Sequence, residues 1–474
     1  MFDLLNVFFA FIILAILLLL SIYIKQKIKL LQKLYLPESI IAGAIALLLG
    51  SQVLGNIAFQ INPNSSLIRG IFPDTMQQIW LQCPSVFINV VFAALFLGEN
   101  IPNPQDIWRK ASPQVAFGQS LAWGQYVFGI VTVTFILIPL FNIDPLAATL
   151  IEIGFEGGHG TAAGMAATLD KLGFPEGGNL ALGLATVGII TGIVGGTWLI
   201  QWGQQQGHVQ INNNKINQAP PEIVSETEAT QKAAIFEHVG IDALSLNCGF
   251  TALAIACGWL ILKGLFWLEA VAWGKNGLEL IEAVPLFPMA LIGGIIVQIT
   301  LKQLGIDYLI DRQLQERIGG VAIDVVIITA ISGIDLTILG NNLGVFITLS
   351  LVGIIWNIFA FVVIAPRIIP VHWFERGIGD MGQSMGVTAT GILLIRMVDP
   401  ENETAAFESF AYKQLFFEPI VGGGLFTAAA PILIDQFGSI SVLLLTSGLL
   451  IFWLGFGTIN YRKIQDAPAN LKTQ

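Results

Sequence analysis

The sequence predicts an all-α polytopic membrane protein with two inverted five-helix repeats, a glycine-rich re-entrant or broken segment in each repeat, and an extra C-terminal helix. Composition, recurring apolar runs and a likeness between the two halves lead to this fold class. The 474 residues are 54% hydrophobic and only 11% charged, and the mean hydropathy is +0.75. Soluble domains carry about 25% charged residues. The apolar runs are long enough to cross a hydrocarbon core of roughly 30 Å.

Eleven continuous apolar segments and two broken ones account for these runs. The first run, which is followed by Lys25, Lys27 and Lys29, has no basic stretch before it. We therefore expect it to remain as a helix rather than to be cleaved as a signal peptide. The continuous segments are 4–24, 39–55, 79–98, 113–141, 178–204, 240–268, 284–301, 318–338, 344–366, 411–435 and 438–460, and the broken ones are 146–170 and 377–398.

The positive charges between the segments predict the topology. Lysines after the first segment place that loop in the cytoplasm, because cytoplasmic loops carry an excess of Lys and Arg. If each broken segment enters and leaves the membrane by one side, the cations near 109–110, 302–317, 367–376 and 462–463 also face the cytoplasm. The N-terminus is then outside and the C-terminus inside.

The chain divides at a polar stretch into two similar halves. We expect an N-terminal inverted repeat at 1–203, a cytoplasmic linker at 204–238 and a C-terminal inverted repeat at 239–437, followed at 438–474 by an additional transmembrane helix and tail. The linker is rich in Gln, Asn and Glu, which is typical of flexible connections. I-N-V-V in the first half matches I-D-V-V in the second, so that Asn89 aligns with Asp324. An odd number of spans per half makes such repeats inverted.

Each half contains a glycine-rich interruption: G-F-E-G-G-H-G-T-A-A-G at 154–164 and G-I-G-D-M-G-Q-S-M-G-V-T-A-T-G at 377–391. Glycine and threonine lower helix stability, and freed backbone groups in lipid must be shielded. We expect the two breaks to face and shield each other. Half-helix N-termini attract carboxylates, and freed carbonyls with hydroxyls suit a small cation. The alternative, close helix packing, is our interpretation of the glycines at 188, 192, 195 and 196.

The candidate site residues come from these breaks and from the aligned polar positions. His159 could contact a substrate or coupling proton, or brace the loop, and Arg396 could pair with a substrate carboxylate or reach the cytoplasmic surface. The candidates for substrate binding are Gly157, Gly158, His159, Gly160, Thr161, Gly382, Gln383, Ser384, Met385, Gly386, Thr388, Thr390 and Arg396. The candidate sodium ligands are Asn89, Glu156, Asp324 and Asp380.

The motifs also resemble a known family. D-P-L (144–146), G-G-H-G-T (157–161) and A-T-V-G-I-I-T-G-I-V-G-G (185–196), together with the glycines and threonines of the second break, are similar to the bacterial sodium/glutamate symporter family. The resemblance implies a homodimer in the bacterial cytoplasmic (inner) membrane that imports L-glutamate with sodium. It also implies an elevator-like displacement of a transport domain. Family members carry Ser, His and Gly where this chain has Glu156, Asp380 and Ser384.

Two other functions remain open at this stage. A sodium-coupled symporter for a di- or hydroxycarboxylate would use the same kind of site. The membrane subunit of a sodium-pumping decarboxylase would use intramembrane carboxylates without binding a free organic anion. No hydrolase motif occurs in a suitable context, so we expect no enzyme. We expect no cofactor besides the coupling sodium ions, and no nucleic-acid partner.

Overall fold

Helices form along the predicted apolar runs, and the described part of the chain contains no strand. Acidic caps fix several helix starts. Asp3 accepts a hydrogen bond from the backbone N–H of Leu5, and Asp311 accepts from those of Gln313 and Leu314. Such caps satisfy N–H groups that have no partner inside the helix. The structure, a computed structural model, describes residues 3–33, 36–99, 104–209, 242–272, 281, 284–400 and 403–466.

The two halves of the chain contain similar series of helices. In the first half these are α1 (Leu4–Lys27), α2 (Lys29–Lys33), α3 (Glu38–Leu49), α4 (Asn56–Ile61), α5 (Asp74–Ala94), α6 (Pro104–Thr132), α7 (Ile138–Phe141), α8 (Leu150–Phe155), α9 (Gly158–Lys171) and α10 (Gly177–Gln205). In the second half they are α11 (Ala243–Ala272), α12 (Leu286–Leu304), α13 (Arg312–Ser332), α14 (Leu336–Asn341), α15 (Leu343–Phe359), α16 (Ala365–Ile368), α17 (Trp373–Val398), α18 (Ala406–Phe417), α19 (Leu425–Phe437) and α20 (Ser439–Asp466). The described residues also form turns of π-helix at Ser51–Gly55, Val133–Leu137 and Ala360–Ile364, and of 3₁₀-helix at Ser66–Arg69, Pro145–Thr149 and Asp307–Leu309.

Eight helical stretches of the described residues are long and apolar enough to cross a membrane, and they match eight of the predicted spans. The chain is therefore an all-helical, multi-pass membrane protein. The predicted spans 79–98 and 318–338 fall mainly on α5 and α13, which are helical but are not among these eight stretches. The predicted linker, 204–238, begins in the last turn of α10 and lies outside the described residues from residue 210 onward.

The predicted span 411–435 is wrong as a single helix, because α18 and α19 are separate. Between them lies a non-helical stretch, residues 418–424, which we call the C-terminal break. Pro419 has no backbone N–H to continue a helix. Gly422 and Gly423 have φ angles of +72° and +105°, a region that favours glycine. The stretch reads E-P-I-V-G-G-G, so the turn signal was present in the sequence, but the apolar residues on both sides concealed it.

The helices form two bundles. The first contains α1, α3, α5, α11, α12 and α13, and the second contains α6, α8, α9, α10, α15, α17, α18, α19 and α20. Each half of the chain thus gives its early helices to the first bundle and its later helices to the second. Small residues allow close approach, as in other membrane helix pairs. For example, a Cβ added to Gly294 of α12 would lie 2.5 Å from the carbonyl oxygen of Ala93 on α5.

Helix α17 is a hairpin rather than a straight helix. Its backbone is helical except at Gly386 (φ −148°, ψ 40°) and Val387 (φ 61°, ψ 172°). A Cβ added to Gly391 would lie 2.5 Å from the carbonyl oxygen of Gly379. In a straight helix these two residues would be about 18 Å apart. The two legs therefore fold back on each other, and we call residues 373–398 the second hairpin.

The 3₁₀ turn Pro145–Thr149 and the helices α8 and α9 form the first hairpin, residues 145–171. This hairpin packs along the N-terminal half of α10. A Cβ added to Gly154 in α8 would lie 2.9 Å from the carbonyl oxygen of Ala181. A Cβ added to Gly178 would lie 2.7 Å from the Cβ of Ala166 in α9. Both legs of the first hairpin thus lie on the same part of α10.

The second hairpin packs along the C-terminal half of α10. A Cβ added to Gly196 would lie 2.5 Å from the side chain of Leu394, and one added to Gly203 would lie 2.5 Å from the ring of Phe374. The two hairpins therefore approach from opposite ends of α10, and their tips come together beside Gly188. The packing interpretation of the α10 glycines is thus confirmed for Gly188, Gly192 and Gly196, and it does not hold for Gly195, where an added Cβ would meet nothing within 4 Å.

Replacing Gly188 with alanine is expected to lower the melting temperature by about 3 °C, because overpacking costs about 1–3 kcal/mol. The added Cβ would overlap the backbone carbonyl oxygen of Met385, which cannot rotate away as a side chain could. Gly195→Ala is the matched control, since a Cβ there meets nothing within 4 Å. Thermal melts of the two purified variants check this prediction, and equal melting temperatures would contradict it.

Candidate functional site

The tips of the two hairpins are in contact, as the sequence predicts. Gly158, at the tip of the first hairpin, has a φ of +65°, and a Cβ at this position would overlap the side chain of Val387. The hydroxyl of Ser384 donates a short hydrogen bond to Oε1 of Glu156. Both of these side chains are buried. The two breaks therefore shield each other.

Val387 has an unusual backbone conformation at the tip of the second hairpin. Its φ of 61° and ψ of 172° lie in a region that only glycine adopts readily. A β-branched residue held there costs about 1–3 kcal/mol, and such strain concentrates at ligand sites and moving segments. The backbone conformation thus marks this tip as a candidate functional element.

Amides of neighbouring helices hold the backbone of the second tip. Nε2 of Gln125 on α6 donates to the carbonyl oxygen of Ser384 at 2.6 Å, and Nδ2 of Asn357 on α15 donates to the same oxygen at 3.1 Å. Three buried oxygens nearby have no hydrogen-bond partner among the described residues: Glu156 Oε2, Gln125 Oε1 and Thr161 Oγ1. Buried polar groups are normally paired, so these atoms are candidate ligand contacts.

Glu152 joins the first hairpin to the C-terminal break. Its carboxylate is fully buried and accepts three hydrogen bonds. The donors are the Tyr126 hydroxyl at 2.6 Å, the backbone N–H of Gly422 at 2.8 Å and the Thr427 hydroxyl at 2.7 Å. Hydrogen bonds to an ionised acceptor are the strong class. The C-terminal break thus has a defined role: it exposes a backbone N–H that fixes the first hairpin.

A buried lysine lies behind the second hairpin. Lys413 on α18 has no exposed surface, and its Nζ lies 3.1 Å from Oδ1 of Asp380. The same ammonium group donates to Oε1 of Gln383 at 2.6 Å. The ring centroids of Phe410 and Phe417 lie 4.9 Å and 4.1 Å from Nζ, within the range of cation–π attraction.

Glu418, the first residue of the C-terminal break, binds both legs of the second hairpin. Its Oε1 accepts from the Thr388 hydroxyl at 3.0 Å and from Nε2 of Gln383 at 3.4 Å. Nε2 of Gln414 donates to the Thr388 hydroxyl at 3.0 Å. The tip of the second hairpin is therefore held by polar side chains of α18 and of the C-terminal break.

Carboxyl groups outnumber cations in this cluster. The carboxyl group of Glu156 interacts electrostatically with the charged groups of Lys413, Glu152 and Glu418. An unpaired buried charge is costly, so the excess favours bound cations or protons. The carboxyl groups of the cluster are Glu152, Glu156, Asp380 and Glu418, and the cations are Lys413 and Arg376.

Most of the predicted substrate-binding residues lie in or next to the tips. Nε2 of His159 lies 2.9 Å from the Thr186 hydroxyl, and a Cβ added to Gly160 would contact Ile88 and Ile323 of the first bundle. The Thr390 hydroxyl donates to the carbonyl of its own helical turn. Those grouped at the tips are Gly157, Gly158, His159, Gly160, Thr161, Gln383, Ser384, Met385, Gly386 and Thr388.

Other predicted residues lie elsewhere. Arg396 is exposed, about 12 Å along its leg from the tip at a helical rise. Asn89 borders a cavity of about 200 Å³ that is lined by residues of α5, of α9 and of the start of α12. Asp324 lies beside Ser39 in the first bundle. Gly382 is helical and packs against the other leg.

The contributions of α18 and of the C-terminal break to the site were not predicted from the sequence. Lys413 and Glu418 both fall inside the predicted span 411–435, where ionisable residues are rare and usually functional. That signal was available in the sequence. Gln125 and Asn357 gave no such signal, because buried amides in long apolar helices are identified only by what they contact.

The sequence matches a family model described as sodium/glutamate symporter over residues 4–398. The matched part contains both hairpins and α10, and it ends before α18, the C-terminal break and α20. Comparisons with curated proteins and with solved structures give no match.

Proposed function

Because the chain belongs to the sodium/glutamate symporter family, we propose that it imports L-glutamate, or a closely related anionic amino acid, together with sodium at the hairpin tips. The family is one of transporters rather than enzymes. The observation that carries the proposal is the contact between Ser384 and Glu156, around which buried oxygens have no partner among the described residues. A coupling cation and a substrate bound here would touch both hairpins at once.

The sodium ion is proposed to bind Glu156 through Oε2. Carboxylate, amide and carbonyl oxygens are the hard ligands that small cations take in transporters. Gln125 supplies a second buried oxygen, because its Nε2 is used by the Ser384 carbonyl while its Oε1 has no partner among the described residues. Of the four sodium candidates, Glu156 is therefore the one that the geometry favours. Asp380 already faces Lys413.

The substrate is proposed to bind beside the same tips. Its carboxylates would meet backbone N–H groups where α9 begins, at the positive end of a helix dipole. Thr161 lies in the first turn of α9 with a fully buried hydroxyl. Bound sodium would offset repulsion between an anionic substrate and the buried carboxyl groups, which would make binding of the two interdependent.

Transport is proposed to proceed by an elevator-like displacement of the second bundle against the first. The second bundle carries the whole site, and α9 borders the first bundle through α5 and α13. Two inverted repeats and re-entrant hairpins are supported by the approach of the hairpins from opposite ends of α10. The proposed boundaries are 1–203 and 239–437 for the repeats, 204–238 for the cytoplasmic linker, and 438–474 for the additional transmembrane helix and its cytoplasmic tail. The first bundle would form the homodimer in the cytoplasmic membrane, with the N-terminus outside and the C-terminus inside.

Replacing Thr161 with valine is expected to change stability and affinity in opposite directions. Its hydroxyl has no partner among the described residues, so removing it should stabilise the protein by about 1 kcal/mol. If substrate or sodium contacts the hydroxyl, the apparent affinity should fall about tenfold, the effect of losing one hydrogen bond. Thr446→Val is the matched control, because this buried hydroxyl bonds only within α20. Melting temperatures and uptake kinetics check the pair, and an unchanged affinity would remove Thr161 from the site.

The function is tested by uptake of labelled L-glutamate into liposomes that contain the purified protein. The expected result is accumulation that requires an inward sodium gradient and that a sodium ionophore abolishes. Inhibition by an unlabelled 2-hydroxy acid as strong as that by glutamate would favour the carboxylate symporter instead. No uptake of any carboxylate by folded protein would favour the partner-dependent sodium pump.

A further inference from the structure

The geometry points to Lys413 as a fixed cation of the protein. Its ammonium group fills a position behind the second hairpin that would otherwise suit a mobile cation such as sodium. This inference rests on the proposed function, because it concerns how many positive charges the site takes from solution. Lys413 lies beyond residues 4–398, so the family match says nothing about it.

The surroundings of the ammonium group are those of a cation site. Nζ faces one carboxylate oxygen, from Asp380 at 3.1 Å, and one amide oxygen, from Gln383 at 2.6 Å. The aromatic rings of Phe410 and Phe417 also lie against the ammonium group, at cation–π distances. Carboxylate and amide oxygens are also what sodium binds, so the same oxygens serve a fixed or a mobile cation.

The carboxylate of Asp380 is held independently of the lysine. Nε2 of Gln114 on α6 donates to Oδ2 of Asp380 at 2.6 Å and to the carbonyl oxygen of Arg376 at 2.8 Å. Loss of the ammonium group would therefore leave Oδ1 in place, facing the vacated volume. The acceptor Gln383 would also remain, because its amide donates to Glu418.

The fixed charge links α18 to the leg that carries the tip. Asp380 and Gln383 lie on one face of the first leg of the second hairpin, one turn apart. Lys413 binds both, so the leg is neutralised and held without any ion from solution. A mobile cation at this position would instead bind and leave during each transport cycle.

The two partners of the ion pair are therefore not equivalent in their response to sodium. Lys413→Met keeps the length and apolar stem but removes the charge, and it leaves a carboxylate that sodium can neutralise. Asp380→Asn leaves a buried ammonium group that sodium cannot neutralise. A merely structural ion pair would lose stability in both variants without regard to the cation present.

The test measures melting temperatures of the purified variants in choline chloride and in sodium chloride, without substrate. We expect both single variants to melt about 5 °C below the wild type in choline, since breaking a buried pair is strongly destabilising. Sodium should raise the melting temperature of K413M by several degrees more than that of the wild type. Sodium should raise the melting temperature of D380N by no more than it raises that of the wild type. In the double variant K413M/D380N both charges are gone, and the extra sodium effect should be absent.

Uptake assays add a second readout. In K413M, residual uptake should depend more steeply on sodium, with the Hill coefficient raised by about one, and K413R should retain the sodium dependence of the wild type. The inference is overturned if sodium acts equally on K413M, D380N and the wild type. The melting experiment needs no transport, so a wild type that fails to take up glutamate counts against the proposed function alone.

Discussion

Replacing Glu156 with glutamine is expected to reduce sodium-dependent uptake by about 100-fold, which corresponds to about 3 kcal/mol of lost interaction with the cation. Glutamine keeps the size of the side chain and can still accept the hydrogen bond from Ser384. It removes the charge that Oε2 offers to a bound ion. The loss should therefore appear in the apparent sodium affinity, with little change in melting temperature.

Glu375→Gln is the matched control for this prediction. Glu375 is also buried and also belongs to the second hairpin, but it lies at the far end of the leg, beside His372 and Asp399. Its replacement should leave the sodium dependence of uptake within about threefold of the wild type, as expected for a site without a ligand. Sodium titrations of initial uptake rates measure both variants. If E156Q and E375Q behave alike, Glu156 does not bind the coupling ion.

Replacing Gly158 with alanine is expected to reduce uptake by a similar factor, about 100-fold, for a steric reason. The φ of Gly158 is +65°, and a Cβ would overlap a methyl group of Val387 on the opposite tip. Backbone strain of about 1–2 kcal/mol and overpacking of about 1–3 kcal/mol would add at this position. The tips could then no longer meet.

Two controls separate the strain from the clash. Gly173 also has a positive φ, +92°, but a Cβ there meets nothing within 4 Å, so Gly173→Ala carries the strain alone. The double variant G158A/V387A removes the clashing methyl group and should recover part of the uptake lost in G158A. Uptake kinetics and melting temperatures of the three variants check the prediction. No recovery in the double variant would show that the tips do not meet in this way.

The broken helices could be predicted from the sequence because clusters of glycine and polar residues interrupt apolar runs there. G-G-H-G-T at 157–161 identified the first tip, and the run around Ser384 identified the second. The sequence could not predict that the second break is confined to Gly386 and Val387, because glycines such as Gly379 and Gly391 serve to pack the legs together. One residue type thus has two roles that only the fold distinguishes.

The partners of the tips were harder to predict because their roles arise from distant contacts. The sequence predicted one apolar helix over 411–435 that includes Lys413 and Glu418, because apolar residues flank the C-terminal break on both sides. The aligned pair Asn89 and Asp324 suggested ligands, yet both lie outside the tip cluster. The likeness between the two halves of the sequence therefore did not identify residues of the tip cluster.

The most direct test of sodium coupling at the tips is equilibrium binding of L-glutamate to the purified protein, with and without sodium. We expect sodium to raise the affinity for glutamate, and glutamate to raise the affinity for sodium by the same factor, because linkage is reciprocal. In E156Q, sodium should change the affinity for glutamate by less than about twofold, and glutamate should change the affinity for sodium by equally little. Glutamate binding that is independent of sodium in the wild type, or coupling that is unchanged in E156Q, would contradict the proposed site.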